Sequence, residues 1–208
     1  MLLQPLGEAA IGFGDLAAAR RYLDEAVERA RAIPNKRELA AALNMLAHVN
    51  RLEGRLEEAE PLYGQAVALV RELGDRESIA IGLLNLAMVA IAGGADVRAT
   101  PILVEALAIA DEIGSRLVGQ SVLEVCAALA ATRSDWTRAA RYYGAAEAQA
   151  AETGLRRDSA DEAFLAPRIA MAREALGATD YAAAESAGRA VTHAVVTGDV
   201  RGWLAGRS

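Results

Sequence analysis

Apolar positions along this chain recur with the period of a helix, and the helices recur with the period of a repeat. From Arg37 to Glu53, Leu39, Leu43, Leu46, Ala47 and Asn50 fall at i, i+4, i+7, i+8 and i+11. From Arg55 to Leu73, Leu56, Ala59, Leu62, Tyr63, Ala66, Leu69, Val70 and Leu73 trace the same stripe. Such a stripe on an otherwise polar surface predicts an amphipathic helix that buries one side. Carried along the chain, the pattern predicts helices over 1–13, 15–32, 38–53, 55–73, 78–93, 96–113, 117–132, 135–153, 160–176 and 180–197, the last with a break at Thr192. No strand-like alternation competes with it. The expected class is all-α.

The helices pair in a forty-residue register. Gly14, Gly54, Gly94 and Ser134 are spaced by forty, and so are Ala19, Ala59, Ala99 and Ala139, then Ala26, Ala66, Ala106 and Ala146. Gly7, Ala47, Ala87 and Ala127 form a further small column, and Leu23, Tyr63, Leu103 and Tyr143 a bulky one. Antiparallel helices approach closely only where side chains are small, and a glycine at a turn supplies a backbone conformation that other residues resist. The turns between units end on Gly74, Gly114 and Gly154. The register gives units 1–36, 37–76, 77–116 and 117–156, the first truncated at its start, with a divergent fifth hairpin and C-terminal cap over 157–208.

The spacing of Ala47, Ala59 and Ala66, with Tyr63 as the bulky member, resembles the tetratricopeptide repeat, in a variety whose second helix is longer than usual. The run Glu57 to Asp75 is similar to the long-helix arrays of kinesin-light-chain type and of bacterial regulators. Short phrases at 141–147 and 185–190 resemble the C-terminal arrays of LuxR-type and ATP-dependent transcriptional regulators. The resemblance implies a right-handed superhelical α-solenoid of about five helical hairpins. It also implies a sensor or scaffold segment whose ATPase and DNA-binding parts lie elsewhere or are missing.

Composition narrows the function. With 53% apolar residues, 4% aromatic residues and a net charge of −6, the chain is neither a disordered segment nor a general nucleic-acid binder. The uncharged stretch from Ser78 to Ala95 contains Asn85 and three glycines, and charged segments repeat its pattern on either side. It reads as the most buried helix of a soluble, cytoplasmic array rather than a membrane span. His48 and His193 sit in no ligand pair, and Cys126 falls at an inward position. No catalytic residue, cofactor site or metal site is expected. Ser159 is expected to cap a helix. Lys36, Arg76, Arg116 and Arg156 form a basic column, preceded at four residues by Glu72, Glu112 and Glu152, which reads as charge compensation at helix ends. Trp203 is left open, either capping the array or exposed. Met1 aligns with Ala41, inside a helix, so Leu2, Leu3 and Leu6 lie where an upstream helix would cover them; the expectation is either a homodimer that covers this end or a truncation that has removed a preceding segment.

In such an array the first helices of successive units line a concave face. By register its exposed positions include Asn44, Leu84 and Glu124 in one column, His48 and Met88 in the next, and Arg51 and Ile91 in a third. Asn44, His48 and Arg51 form a polar stripe; Leu84, Met88 and Ile91 form an apolar one, with Asn85 beside it. The expected function is a non-catalytic scaffold that holds a protein or peptide segment in this groove. The alternative is an inducer sensor with a small molecule in the same apolar pocket.

Overall fold

The computed structural model describes residues 2–33 and 35–206. Met1, and Pro34 beside the second turn, lie outside the described residues. Among the described residues the chain forms ten helices and no strand: α1 (Leu3–Gly12), α2 (Leu16–Ala32), α3 (Lys36–Leu52), α4 (Leu56–Glu72), α5 (Arg76–Ala92), α6 (Asp96–Ile113), α7 (Arg116–Thr132), α8 (Trp136–Thr153), α9 (Ser159–Arg189) and α10 (His193–Leu204). It is an all-α repeat fold. Two compact units divide it, Met1–Val89 and Ala90–Ser208.

In the first unit the small columns do the packing that their size allows. Ala19, Ala47 and Ala59 are fully buried, as are the bulky Leu23 and Tyr63. A methyl group added at Gly7 would sit 2.7 Å from Leu23 Cγ, so glycine lets α1 rest on α2. Leu43, Leu46 and Val49 of α3 join Leu23 and Val27 of α2 in one core cluster, against which Leu3 packs. Leu2 and Leu6 remain exposed.

The turns follow the glycine columns. Gly14, Gly54 and Gly94 adopt φ of 76°, 73° and 74°, and Ser134 takes their place with φ of 60°. A side chain in that left-handed region clashes with the following carbonyl. Ser134→Gly is therefore expected to raise stability by about 0.5–1 kcal/mol, seen as a higher melting temperature by circular dichroism.

Helix starts were set by residues the apolar stripe does not include. Asn35, Asp75 and Ser115, forty apart, each accept a hydrogen bond from the backbone N–H three residues on, so α3, α5 and α7 begin one or two residues before the apolar pattern does. At α9 the cap is Asp158, which accepts from the N–H groups of Ala160 and Asp161, and not Ser159, whose side chain lies outside the described residues. The basic column is also corrected. Lys36 pairs with Glu72 and Arg116 with Glu152 (2.6 Å), because each hairpin brings the start of its first helix beside the end of its second. Both pairs are more than half exposed, so each contributes at most about 1 kcal/mol.

The second unit departs from the predicted hairpin at its C-terminal end. α9 reverses at Gly177 (φ 75°, ψ 163°), and its second arm crosses α8 at a contact between backbones. A Cβ at Gly144 would lie 2.2 Å from the Glu185 carbonyl oxygen, and one at Gly188 would lie 2.0 Å from that of Arg141. The predicted run 180–197 stops at Arg189, and a separate α10 starts at His193. α10 folds back on α6, α7 and α8. Val196, Val200 and Leu204 are buried beneath it, Arg201 pairs with Asp111, and Trp203 meets the Tyr142 ring edge-on at 5.7 Å between the guanidinium groups of Arg133 and Arg138. The imidazole of His193 occupies the space left by the missing side chain of Gly119, with Nδ1 3.1 Å from Gln149 Oε1. Trp203 is thus part of a packed cap.

Candidate functional site

In the first unit, α3 and α5 stand apart over the C-terminal half of α4. Gly82 makes this crossing close, since a Cβ there would lie 2.5 Å from Val67 Cγ2. Above it the helices diverge and leave a cleft of about 230 Å³. Its floor is Ala66, Val67 and Val70 of α4; its walls are Ala40, Ala41 and Asn44 of α3 and Ser78, Ile81 and Gly82 of α5; Arg37 and Asp75 complete the lining. Ile81 is 39% exposed, a large aliphatic side chain presented at an apolar slot. The Asp75 carboxylate is engaged in capping α5, so Arg37, the amide nitrogen of Asn44 and the Ser78 hydroxyl supply the remaining polar chemistry of the lining.

This cleft lies about one helical turn toward the starts of α3 and α5 from the groove expected from the register. Of the predicted residues, Asn44 lines it and His48 is half-buried. The expected exposure of the others is corrected: Leu84, Met88 and Ile91 are 3%, 4% and 2% exposed, and Asn85, Arg51 and Glu124 are buried too. The polar members of these columns face neighbouring helices. Asn85 Nδ2 donates to Asn44 Oδ1 at 3.1 Å, and upstream Gln4 Nε2 donates to the Glu38 carbonyl at 3.0 Å. Arg51 is held 3.6 Å from Met88 Sδ and at a long 3.4 Å from His48 Nδ1, where the imidazole must accept because guanidinium only donates. In this unit the exposed positions near the starts of α3 and α5 are Arg37, Ala41, Glu77 and Ile81. The pairs 37/77 and 41/81 were readable in the register, but choosing them required the angle at which neighbouring helices meet.

In the second unit Glu124 belongs to a buried charge cluster. Arg157, in the connection from α8 to α9, turns inward and lies 3.0 Å by Nε from Glu124 Oε1, with Glu147 and Glu162 on its other nitrogens and Tyr143 beneath its guanidinium plane at 5.6 Å. Gln120 Nε2 donates to the same Glu124 oxygen at 3.1 Å. Burial pushes the Glu124 carboxyl above its ordinary range, against the lowering pull of Arg157. Cys126 is fully buried, and burial pushes its thiol up, away from reactivity. Among the described residues no group of His, Cys, Asp and Glu is arranged to hold a metal ion.

The Tetratricopeptide repeat model matches residues 1–72 and 38–112, the stretch that builds the cleft and its flanking hairpins. The chain belongs to the tetratricopeptide repeat family. Solved structures share the fold of this tetratricopeptide repeat protein. BtubC (BKLC) from P. vanneervenii superposes with a TM-score of 0.63 at 22% identity, over 98% of this chain and 80% of that one. A Podosopora anserina protein assigned as a kinesin light chain, with nearly identical TPR-like repeats, gives 0.59 at 20% identity over 90% and 92%, and a singly substituted form of it 0.59 at 17% over 99% and 95%. No curated protein matches the chain in sequence. No helix among the described residues is long and apolar enough to cross a membrane. Repeats of this family generally mediate contacts between proteins.

Proposed function

We propose that this tetratricopeptide repeat chain is a non-catalytic scaffold of a bacterial, cytoplasmic regulatory protein, and that it grips a peptide or protein segment at the starts of α3 and α5. One observation carries the reading: the cleft with an apolar floor of Ala66, Val67 and Val70, the exposed Ile81 on one wall, and Arg37 and Asn44 for a polar anchor. At about 230 Å³ it suits one inserted aliphatic side chain of a longer segment better than a whole inducer, since small-molecule sites run to roughly 300–1,000 Å³. The regulatory context rests on the phrases at 141–147 and 185–190.

The test uses peptides selected from a random display library on the wild-type chain. Ile81→Glu and Ala41→Glu place charge at the cleft on positions already exposed, and each is expected to weaken the selected peptides at least about tenfold by fluorescence anisotropy. Peptides that bind both variants as tightly as the wild type would place recognition elsewhere. Met88 is unsuitable for such a test, because a charge buried there would unfold the unit before it reported on binding.

A further inference from the structure

The breaks at Gly14, Gly54, Gly74, Gly94, Gly114 and Gly154, and the reversal inside α9 at Gly177, all turn on left-handed glycine, and Ser134 adopts the same conformation. Between α9 and α10, as at Ile33 and Asn35 between α2 and α3, nothing of the kind occurs. The chain bends through Ala190, Val191 and Thr192 with no glycine, no proline and no positive φ. Ala190 is still helical (φ −83°, ψ −13°), Thr192 is extended (φ −71°, ψ 155°), and the Thr192 side chain makes no capping bond. No local chemistry enforces this bend. It is held by the docking of α10, at the Thr192 break that the sequence places in the helical run 180–197.

We infer that α10 is exchangeable: the groove on α6, α7 and α8 that it fills also accepts the α10 of a second copy of this chain, giving a reciprocal dimer. Straightening the three bend residues joins the second arm of α9 to α10 as one helix that reaches out of its own unit. Every contact of the closed form, including Arg201 with Asp111 and Trp203 with Tyr142, is remade with the partner's groove. This is the low-cost route by which a short connection converts an intramolecular contact into an intermolecular one. α10 contains Gly198 and Gly202, which weaken a lone helix, so the segment stays helical either docked or as a continuation of α9, and a free third state is disfavoured. The occupant is a second copy because that helix carries the matching groups at the matching spacing.

Two full-length charge variants test this. In Asp111→Arg, Arg201 meets a like charge; in Arg201→Asp, Asp111 does. Mixed, each copy's α10 matches the other copy's groove. Exchange predicts that the mixture forms heterodimer about tenfold more readily than either variant forms homodimer, read by native mass spectrometry after equilibration. A second pair addresses the bend without touching the groove. Thr192→Ala favours the straight helix and should increase the wild-type dimer fraction in light scattering, and Val191→Gly should reduce it. A chain that stays monomeric at all concentrations, or a mixture with no excess heterodimer, overturns the inference. So does a dimer that Leu6→Glu dissolves and the bend variants leave unchanged, since that contact lies on α1.

Discussion

Arg157→Ala is expected to lower the unfolding free energy of this chain by about 3–5 kcal/mol at neutral pH, because it leaves Glu124 buried without its cation. Arg157 is 12% exposed and Glu124 8% at the side chain, so water does not replace the lost partner. The pH dependence distinguishes this cause from lost packing. Burial raises the Glu124 carboxyl, so in the folded chain it keeps its proton to higher pH than in the unfolded chain. The stability gained from protonation is complete below the ordinary glutamate range and is lost as pH rises through the raised folded value. In Arg157→Ala the opposing attraction is gone, the folded value rises further, and acidification should restore part of the stability. Glu124→Gln placed on that background should recover more than half of the loss. Alone it should be nearly neutral, since Glu147 and Glu162 still hold Arg157. Urea denaturation across a pH series reads all three variants. An Arg157→Ala chain as stable as wild type at neutral pH would show that the cluster contributes nothing net.

Gly188→Ala is expected to cost about 3 kcal/mol, an effect far above that of an ordinary helical glycine. The added methyl would lie 2.0 Å from the Arg141 carbonyl oxygen, and a backbone atom of a packed helix cannot rotate aside as a side chain can. Gly144→Ala meets the Glu185 carbonyl at 2.2 Å and should behave alike. Gly64→Ala is the control: the methyl meets nothing within 4 Å, and replacing a mid-helix glycine should stabilise by about 0.5–1 kcal/mol. Thermal unfolding of the three variants decides the matter. A Gly188→Ala chain that gained stability as Gly64→Ala does would mean that α8 and the second arm of α9 are not packed backbone to backbone.

These contacts mark where sequence reasoning held and where it stopped. The columns Ala19, Ala59, Ala99 and Ala139 were readable as packing positions, and all four are fully buried, because small size at a helical period has only one common use. The expectation for Leu84, Met88 and Ile91 failed on exposure for a different reason. Periodicity tells which side of a helix is apolar, but a helix enclosed on all sides, as α5 is from Gly82 to Ile91 apart from the half-buried Leu86, has no polar side against which to fix the open one. The capping column Asn35, Asp75 and Ser115 was present in the sequence and carried its own signal, a polar acceptor three residues before a free N–H, that the apolar stripe does not contain.

The sequence by itself determined the helices as far as Thr153, the pairs α1–α2, α3–α4 and α7–α8, and the glycine turns, since these depend on interactions within about forty residues: apolar period, small contact residues, left-handed glycines and caps. Tertiary structure alone decided the opening over Val67, the inward turn of Arg157 onto Glu124, and the fold-back of α10 onto α6 and Asp111. The reason is the same in each case. Which side chains remain open, which charges meet and where a glycine-free helix bends are set by the angle between packed helices and by groups up to 90 residues apart, and neither leaves a period in the chain.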